Sequence, residues 1–292
     1  MRDISIIRVP FESGSDRKGS GQAPLWLAER CFADIDKTIE IAGHSDDASY
    51  EGRRHGVKNY DKVIDICTRL RDKVSACRAK AERVLIIGGD HAIALGSIAG
   101  VLENEPNVGV IWFDAHGDIN TETSSPSANA HGMPVAALMG LCASGLNEIA
   151  AVRLKSQNIF WVGARDLDAG EVETIERLGI ADNVYSTERV HQIGMQAVMD
   201  DIRRKMQAQG IGQVHISFDI DGMDPSIVRA TGTRVENGLL QEDVRAFING
   251  LKSLPKIESV DFVEYNPTMD DAEYTTGHWC VETMKRIREL VS

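Results

Sequence analysis

The sequence has no apolar run close to the roughly 20 residues that a membrane-spanning helix needs. Its start, MRDISIIRVP, has neither the apolar core nor the small-residue cleavage site of a signal peptide. The first absence argues against a membrane protein and the second against a secreted one. We therefore expect a soluble protein of the cytoplasm with no membrane partner.

Paired cysteines and clustered basic residues are also missing. The five cysteines are scattered, odd in number and without a CxxC pair, which argues against a disulfide framework and a zinc ribbon. The net charge is −12 and no basic stripe is present, so nucleic acid is excluded as an expected partner. An acidic chain suits a small cationic substrate, although the excess of acids is equally typical of an ordinary solubilising surface.

Several common catalytic and nucleotide-binding motifs are absent as well. No GxGxxG follows the first predicted strand, and there is no GxxxxGK[ST], no GxSxG and no internal repeat. Dinucleotide binding, P-loop chemistry and serine hydrolysis therefore have no motif to support them. With 292 residues, 42% of them hydrophobic, and no sharp linker, the chain is expected to form a single domain over 1–292.

The sequence does contain short apolar runs that alternate with helical patterns. Strands are predicted at 3–9, 83–88, 108–114, 158–163, 213–219 and 258–264. Helices are predicted at 58–81, 91–104, 132–141, 170–179, 186–209, 240–252 and 274–290, and 12–24 is predicted to be a loop before a helix. The repeated order of strand then helix indicates an α/β fold with a mostly parallel sheet covered on both faces. Ligands then bind beyond the carboxyl ends of the strands.

Ionisable side chains follow three of these strands. WFDAHGDIN places Asp114, His116 and Asp118 at every second position, where unpaired buried charges would cost several kcal/mol each. The side chains that follow two other strands are Asp90 and His91 in GGDHAIALGS, and Asp219, Asp221 and Asp224 in SFDIDGMDPS. A spacing of two keeps side chains on one side of an extended chain. The three clusters are thus predicted to converge on a metal site, although any one of these residues alone would more often be a cap or a satisfied core group.

The charge of this cluster predicts the number of ions. Asp114, Asp118, Asp219 and Asp221 bring four negative charges, which two divalent ions would neutralise and one would not. Oxygen-rich ligation with one imidazole for each ion favours Mn²⁺ over Zn²⁺, which prefers more nitrogen and sulfur. Two Mn²⁺ ions per chain are the predicted cofactors.

The segments GGDH, DAHGDIN, SFDIDGMDP and EYNP, in this order, resemble the signatures of the ureohydrolase (arginase/agmatinase) family, and within it most closely the arginases. The resemblance spans nearly the whole chain and implies a three-layer αβα fold with a binuclear manganese centre. One ion would be held by His91, Asp114, Asp118 and Asp219, and the other by Asp114, His116, Asp219 and Asp221. Asp114 and Asp219 would bridge the ions, and a hydroxide between the ions would be the nucleophile. The family also implies a homo-oligomer, a trimer or a hexamer.

Attack on a guanidinium carbon expels an amine, which must leave protonated. His131, in NAHGMPVAAL, is the candidate proton shuttle because an imidazole titrates near neutral pH and the family has its shuttle here. Glu264, in FVEYNP, would pair with the guanidinium, although an acid at a strand end also caps turns. His131, Glu264 and the ligand Asp118 are the predicted catalytic residues.

The polar loop INTETSSPSANA, which lies between the metal motif and His131, bears on the substrate. By resemblance, Asn120, Ser125 and Ser127, with Asn129 nearby, read an α-carboxylate. Asp168 in GARDLDAGE meets an α-amino group, and Thr233 in ATGTRV supplies a pocket hydroxyl near the metals. These residues favour hydrolysis of L-arginine to L-ornithine and urea.

Two other classes of function stay open at this stage. One is a related amidinohydrolase acting on agmatine, guanidinobutyrate or formiminoglutamate, or a metal-dependent deacetylase. The other is a non-catalytic binding or scaffold protein, against which the intact ligand set and His131 argue. The tail DDAEYTTGHWCVETMKRI departs from the arginase pattern and adds His278, Trp279 and Cys280, which are expected to affect the pocket or a subunit interface.

Overall fold

The described residues form an eight-stranded sheet in which all neighbouring strands are parallel. The structure is a computed structural model and describes residues 4–35, 38–42, 52–143 and 145–291. The strands in this part of the chain are β1 (Ile4–Val9), β2 (Thr38–Glu40), β3 (Arg53–Arg54), β4 (Val57–Lys58), β5 (Arg83–Gly88), β6 (Gly109–Phe113), β7 (Ile159–Val162), β8 (Val184–Tyr185), β9 (Gln213–Asp219) and β10 (Lys256–Val263). The order across the large sheet is β2, β1, β5, β10, β9, β6, β7, β8.

Helices cover both faces of this sheet. They are α1 (Ala23–Cys31), α2 (Tyr60–Arg78), α3 (Ala94–Leu102), α4 (Pro134–Met139), α5 (Ala169–Leu178), α6 (Thr187–Ile193), α7 (Met195–Ala208), α8 (Gln241–Leu251) and α9 (Thr275–Leu290). Helices α2 to α5 contribute to one apolar core, and α1 with α6 to α9 contributes to the other. The predicted three-layer αβα fold is confirmed. Among the described helices, none combines the length and the apolar character needed to cross a membrane.

Strand β9 shows how the two cores arise from one sheet. Val214, Ile216 and Phe218 belong to the core beneath α7 and α8. Successive strand side chains point to opposite faces, so His215 and Ser217 point to the other face. The sheet is therefore apolar on both sides, except for a polar row that leads toward the end of β9.

All six predicted strands are present, but two strands at the sheet edges were not predicted. β2 and β8 are three and two residues long, too short for a recognisable hydrophobic period. Residue 3 of the predicted strand 3–9 lies outside the described residues. The prediction of one helix over 186–209 is wrong. Gly194 adopts a φ of 82°, in the left-handed region that glycine tolerates, and separates α6 from α7.

The chain before α2 also differs from the prediction. β3 and β4 pair as an antiparallel hairpin, whose turn is formed by His55 (φ 52°) and Gly56 (φ 80°). Two positive φ values in a two-residue loop match the twist of a hairpin. The predicted helix 58–81 therefore begins only at Tyr60. The predicted loop 12–24 ends slightly early, since α1 starts at Ala23.

Candidate metal centre

The predicted metal-ligating side chains meet at one edge of the sheet. They follow β5, β6 and β9, while Glu264 follows β10, and these four strands lie side by side in the order β5, β10, β9, β6. Neighbouring parallel strands end at the same edge, where α/β proteins bind their ligands. Side chains from distant parts of the sequence are thereby brought into one site.

The first group of candidate ligands surrounds His91. Its Nδ1 atom lies 2.9 Å from Oδ2 of Asp114, and 3.1 Å from Oδ2 of both Asp118 and Asp219. All four side chains are buried. These are the four residues predicted to hold the first ion.

The second group surrounds His116, which is partly exposed at the pocket floor. Its Nδ1 atom lies 3.2 Å from Oδ1 of Asp114 and 3.2 Å from Oδ2 of Asp221. Asp114 thus presents one oxygen to each imidazole, as a bridging carboxylate would. The fourth predicted ligand here, Asp219, instead accepts the backbone N–H of Asp221 through Oδ1, at 2.8 Å.

Electrostatics make this cluster unfavourable without cations. Burial raises the pKa of Asp219 well above its ordinary value, and the charges of Asp221 and Asp114 raise it further. Burial and the charge of Asp114 also raise the pKa of Asp118 to about 6. Asp114 is the exception, because the two adjacent imidazoles hold its pKa below the ordinary value in spite of its burial. Four carboxylates packed this closely require compensating positive charge.

The donor set fits divalent cations. Nδ1 of His91 faces three carboxylate oxygens, yet it makes no hydrogen bond within the described residues. The candidate ligand atoms of His91, Asp114 and Asp219 lie within 4.8 Å of one another, and so do those of Asp114, His116 and Asp221. Imidazole nitrogens with several carboxylate oxygens are suitable ligands for Mn²⁺. The arrangement can accommodate two such ions that share Asp114.

A buried polar network behind His91 was not predicted. Nε2 of His91 lies 2.8 Å from the Ser217 hydroxyl, which lies 3.5 Å from Oδ2 of Asp261. The same Asp261 oxygen accepts the Ser97 hydroxyl at 2.5 Å and lies 3.1 Å from Nε2 of His215. A hydrogen bond to the outer ring nitrogen fixes the tautomer and orientation of a metal-binding imidazole. The alternation of His215, Ser217 and Asp219 along β9 was the sequence signal for this network.

His131 and Glu264 lie together beside the metal centre. Nδ1 of His131 is 3.4 Å from Oε1 of Glu264, and the same oxygen accepts the backbone N–H of His91 at 2.8 Å. Burial alone would lower the pKa of His131, but the Glu264 carboxylate raises it to about 9. The carbonyl of Gly89 accepts the N–H of Glu264 at 2.8 Å, and a Cβ at this glycine would overlap the Phe11 carbonyl.

Two predicted site residues have an unusual backbone conformation. Asp118 has a φ of 50° and Glu264 a φ of 67°, both in the left-handed region that disfavours residues other than glycine. Such strain costs about 1–3 kcal/mol and concentrates at functional sites. The conformation of both residues therefore supports a functional role for the turns that carry them.

Asp168, predicted to meet the α-amino group, lies at the start of α5 against Asn120, which was predicted to read the α-carboxylate. Nδ2 of Asn120 donates to Oδ2 of Asp168 at 2.8 Å. Glu171, which was not predicted, accepts the backbone N–H groups of Asp168 and Ile119 at 2.9 and 3.0 Å. Burial raises the pKa of Glu171 to about 8. The signal for Glu171 was the spacing DAGE, typical of a capping box at a helix start.

The rest of the substrate loop presents hydroxyls beside a buried amide. The Ser125 and Ser127 hydroxyl oxygens are 3.4 Å apart, and both side chains line the pocket. Asn129 is buried and donates from Nδ2 to Asp16 at 3.3 Å, and Asp16 also pairs with Lys58 at 2.5 Å. Asn129 therefore lies behind the two serines and is not among the described residues that line the pocket.

The pocket above the candidate centre has a volume of about 180 Å³. The predicted site residues that line it are His116, Asp118, Asn120, Ser125, Ser127, His131, Asp168, Asp219, Asp221 and Thr233. The Thr233 hydroxyl donates to Oδ2 of Asp221 at 2.8 Å. His91, Asp114 and Glu264 lie beneath this surface.

The divergent tail forms α9, away from this pocket. His278 and Trp279 line a different cavity of about 320 Å³ between α8 and α9, and Cys280 is fully buried in the apolar core. None of the three is among the described residues that line the pocket at the metal centre. The expected effect of these three residues on the pocket is therefore not supported by a direct contact.

Comparison with known proteins gives consistent matches over nearly the full length. A family model described as "Arginase family" matches residues 2–287. The arginase of Bacillus caldovelox is 34% identical over 287 residues, which are 95% of each chain, and that of Staphylococcus aureus strain MRSA252 is 35% identical over 283 residues, 94% and 93% of the two chains. A crystal structure of Entamoeba histolytica arginase in complex with L-ornithine superposes with a TM-score of 0.89 at 32% identity, covering 99% of both chains.

Proposed function

We propose that this chain, which belongs to the arginase family, hydrolyses L-arginine to L-ornithine and urea. Its membership confirms the resemblance drawn from the four sequence motifs. Relatives named arginase match the chain over nearly its full length, and one structural neighbour was solved with L-ornithine. The observation that carries the proposal is the presence of two ligand groups, each with one imidazole and several carboxylates. The two groups share Asp114 and lie beneath a pocket that His131 lines.

The cofactors we propose are two Mn²⁺ ions per chain. His91, Asp114, Asp118 and Asp219 would hold one, and Asp114, His116, Asp219 and Asp221 would hold the other. Two bound divalent ions supply a water acidic enough to act as a nucleophile at neutral pH. The chain's own contribution is to orient the ligands. Ser217 contacts Nε2 of His91, and the backbone N–H groups of His116 and Asp221 donate to Asp114 and Asp219.

The reacting end of the substrate would lie between Glu264 and the metal centre. The carboxylate of Glu264 would pair with the guanidinium and hold it at the metal centre. A water oxygen would bond to the guanidinium carbon and the bond from this carbon to the ornithine nitrogen would break, so that the two protons given up by the water are balanced by two gained at that nitrogen. That nitrogen takes a proton as it leaves, and His131 is placed to deliver it because it lines the pocket beside Glu264. Urea and protonated ornithine are the products.

The other end of the substrate would lie against the loop 120–129 and the start of α5. Ser125, Ser127 and Asn120 offer hydrogen-bond donors to an α-carboxylate, with Asn129 supporting them from behind. Asp168 offers a carboxylate to the α-ammonium group. Each charge-assisted hydrogen bond is worth roughly 1.5–3 kcal/mol. The pocket therefore favours a guanidine that carries both groups.

The test is a comparison of kcat/KM for arginine, agmatine, guanidinobutyrate and formiminoglutamate with the Mn²⁺-loaded protein. Agmatine lacks the carboxylate of arginine, whereas guanidinobutyrate lacks the amine. Loss of one such contact is expected to cost ~10-fold or more, at about 1.4 kcal/mol per tenfold. A protein that prefers agmatine or guanidinobutyrate would defeat arginine as the substrate, but not membership in the family.

Two single variants locate these contacts on the chain. Ser127→Ala removes a donor to the carboxylate, so we expect it to narrow the difference between arginine and agmatine by ~10-fold. Asp168→Ala removes the acceptor for the ammonium group, so it should narrow the difference between arginine and guanidinobutyrate by a similar factor. Each variant is the control for the other. If both variants lowered activity on all substrates equally, the assignment of the two contacts would be wrong.

Three further properties belong to the same proposal. We propose that residues 1–292 form a single domain and that the protein acts in the cytoplasm. We also propose that it assembles as a trimer or hexamer. Light scattering of the purified protein tests the assembly, and a monomer would contradict it.

A further inference from the structure

Arg165 makes an unusual set of contacts beside the candidate metal centre. It lies in the loop after β7, and its guanidinium is partly buried. Its backbone N–H donates to the carbonyl of Ala115, which lies between Asp114 and His116, at 2.8 Å. Its side chain runs toward a different loop, the one that carries Asp221.

Within the described part of the chain, the side-chain hydrogen bonds of Arg165 all go to backbone carbonyls. Nε donates to Glu236 at 3.2 Å. Nη1 and Nη2 approach the carbonyls of Gly163 (3.2 Å), Gly222 (3.0 Å), Asp221 (2.9 Å), Met223 (3.1 Å) and Val235 (2.8 Å). Five N–H groups thus serve six acceptors, and the fork geometry of a guanidinium is what allows this.

Five of these six carbonyls, all but that of Gly163, belong to the two segments that form one side of the second group of ligands. Asp221, Gly222 and Met223 are consecutive, so one guanidinium fixes the turn that carries the Asp221 carboxylate. Val235 and Glu236 follow the ATGT segment, whose Thr233 hydroxyl donates to Asp221. Asp221 in turn accepts the N–H of Ala115 through Oδ1, at 3.2 Å. Arg165 therefore connects three loops at the second ion site.

Among the described residues no carboxylate forms an ion pair with this guanidinium. Its positive charge lies instead among carbonyl dipoles. Burial lowers the pKa of Arg165, and the charges of Asp221 and Asp114 offset this only in part. A purely structural arginine is usually paired with an acid when it is taken from water. The Arg165 guanidinium instead donates to backbone carbonyls of the loop that carries Asp221.

We infer that Arg165 is a positioning residue for the second metal ion, the one predicted to bind His116 and Asp221. This inference rests on the proposed binuclear centre. The guanidinium holds the turn at 221–223 and the segment at 235–236 in the relation that aims Asp221 and Thr233 at that ion. The first ion, held around His91, does not depend on these contacts.

The test is Arg165→Lys, which keeps the charge but replaces the fork by a single ammonium that cannot reach six carbonyls. Loss of a group that supports a metal ligand typically weakens metal affinity by 10–100-fold. We expect calorimetric Mn²⁺ titration to show one of the two ions binding ~10–100-fold less tightly than in the parent, with the affinity of the other ion unchanged. Hydrogen exchange of the metal-free variant should rise at 220–223 and 235–236.

Arg189→Lys is the matched control. Nη1 of Arg189 also donates to two backbone carbonyls, of Asp182 and Val184, at 3.2 Å each, but on another part of the chain. It should bind both ions like the parent. Equal affinity for both ions in Arg165→Lys and the parent would overturn the inference, whereas a parent that binds no ion would count against the proposed function instead.

A folding defect is covered by a second variant. Arg165→Gln keeps an amide N–H donor and removes the charge, and should show the same selective loss of affinity for one ion. If both variants failed to fold while Arg189→Lys folded, the inference would be overturned. Arg165 would then support the fold as a whole, and not the second ion alone.

Discussion

Replacement of Asp219 by Asn is expected to release both metal ions and to lower kcat by ~10³-fold or more. Asp219 lies 3.1 Å from Nδ1 of His91 and ends β9, two residues before Asp221, so as the proposed bridging ligand it would be lost to both ions. A bound metal supplies several kcal/mol of transition-state stabilisation. At about 1.4 kcal/mol per tenfold, this corresponds to the expected loss of rate.

Metal content after dialysis, measured by mass spectrometry, distinguishes this role from a folding role. His91→Asn should retain more metal than Asp219→Asn, because it removes a neutral ligand of one ion only. Asp224→Asn is the matched control, since Asp224 belongs to the same motif but accepts from Ser226 and the N–H of Gly238. Retention of two ions by Asp219→Asn would show that Asp219 does not bridge the two ions.

The strand ends were predictable because two features of the sequence, an apolar run and the ionisable residues after it, indicate each of them. Each run of apolar residues before Asp114 or Asp219 is long enough to be a buried strand, and each ends in ionisable side chains at a spacing of two. A spacing of two has one geometric meaning on an extended chain, namely a common side. Which strands are neighbours is not encoded locally, since β5 and β10 are adjacent although about 170 residues separate them.

The residues that were missed act across the chain. Asp261 looks like a misplaced acid in a strand until β10 lies beside β9, where its register partner is Ser217. In the sequence Arg165 is an ordinary loop cation, and only the fold brings its guanidinium to the turn at 221–223. Their partners are supplied by tertiary structure, which single-sequence patterns do not contain. Gly194 is different, because a glycine inside a helical pattern is a visible signal that the amphipathic period outweighed.

The last prediction concerns proton delivery. His131→Asn is expected to lower kcat by ~10²–10⁴-fold, the range typical of a lost general acid, while both metals stay bound. Asn keeps a polar side chain of similar size but carries no proton that it can release near neutral pH. The Glu264 carboxylate raises the pKa of His131 to about 9 although burial opposes this, so the imidazole is held in its protonated form. A protonated imidazole is the form that an amine leaving group requires.

The measurements must separate proton delivery from binding. Metal content should match the parent, and KM for arginine should change far less than kcat, because the lost interaction is made in the transition state and not in the ground state. His191→Asn is the control, since His191 pairs with Asp243 through Nε2 at 3.2 Å on the outside of the fold and should leave kcat unchanged. A small proton donor such as imidazole, added to the buffer, should partly restore turnover in His131→Asn. An unchanged kcat, or a loss of metal together with activity, would contradict proton delivery by His131. His131 would then have a structural role in its loop, because loss of a proton donor alone produces neither result.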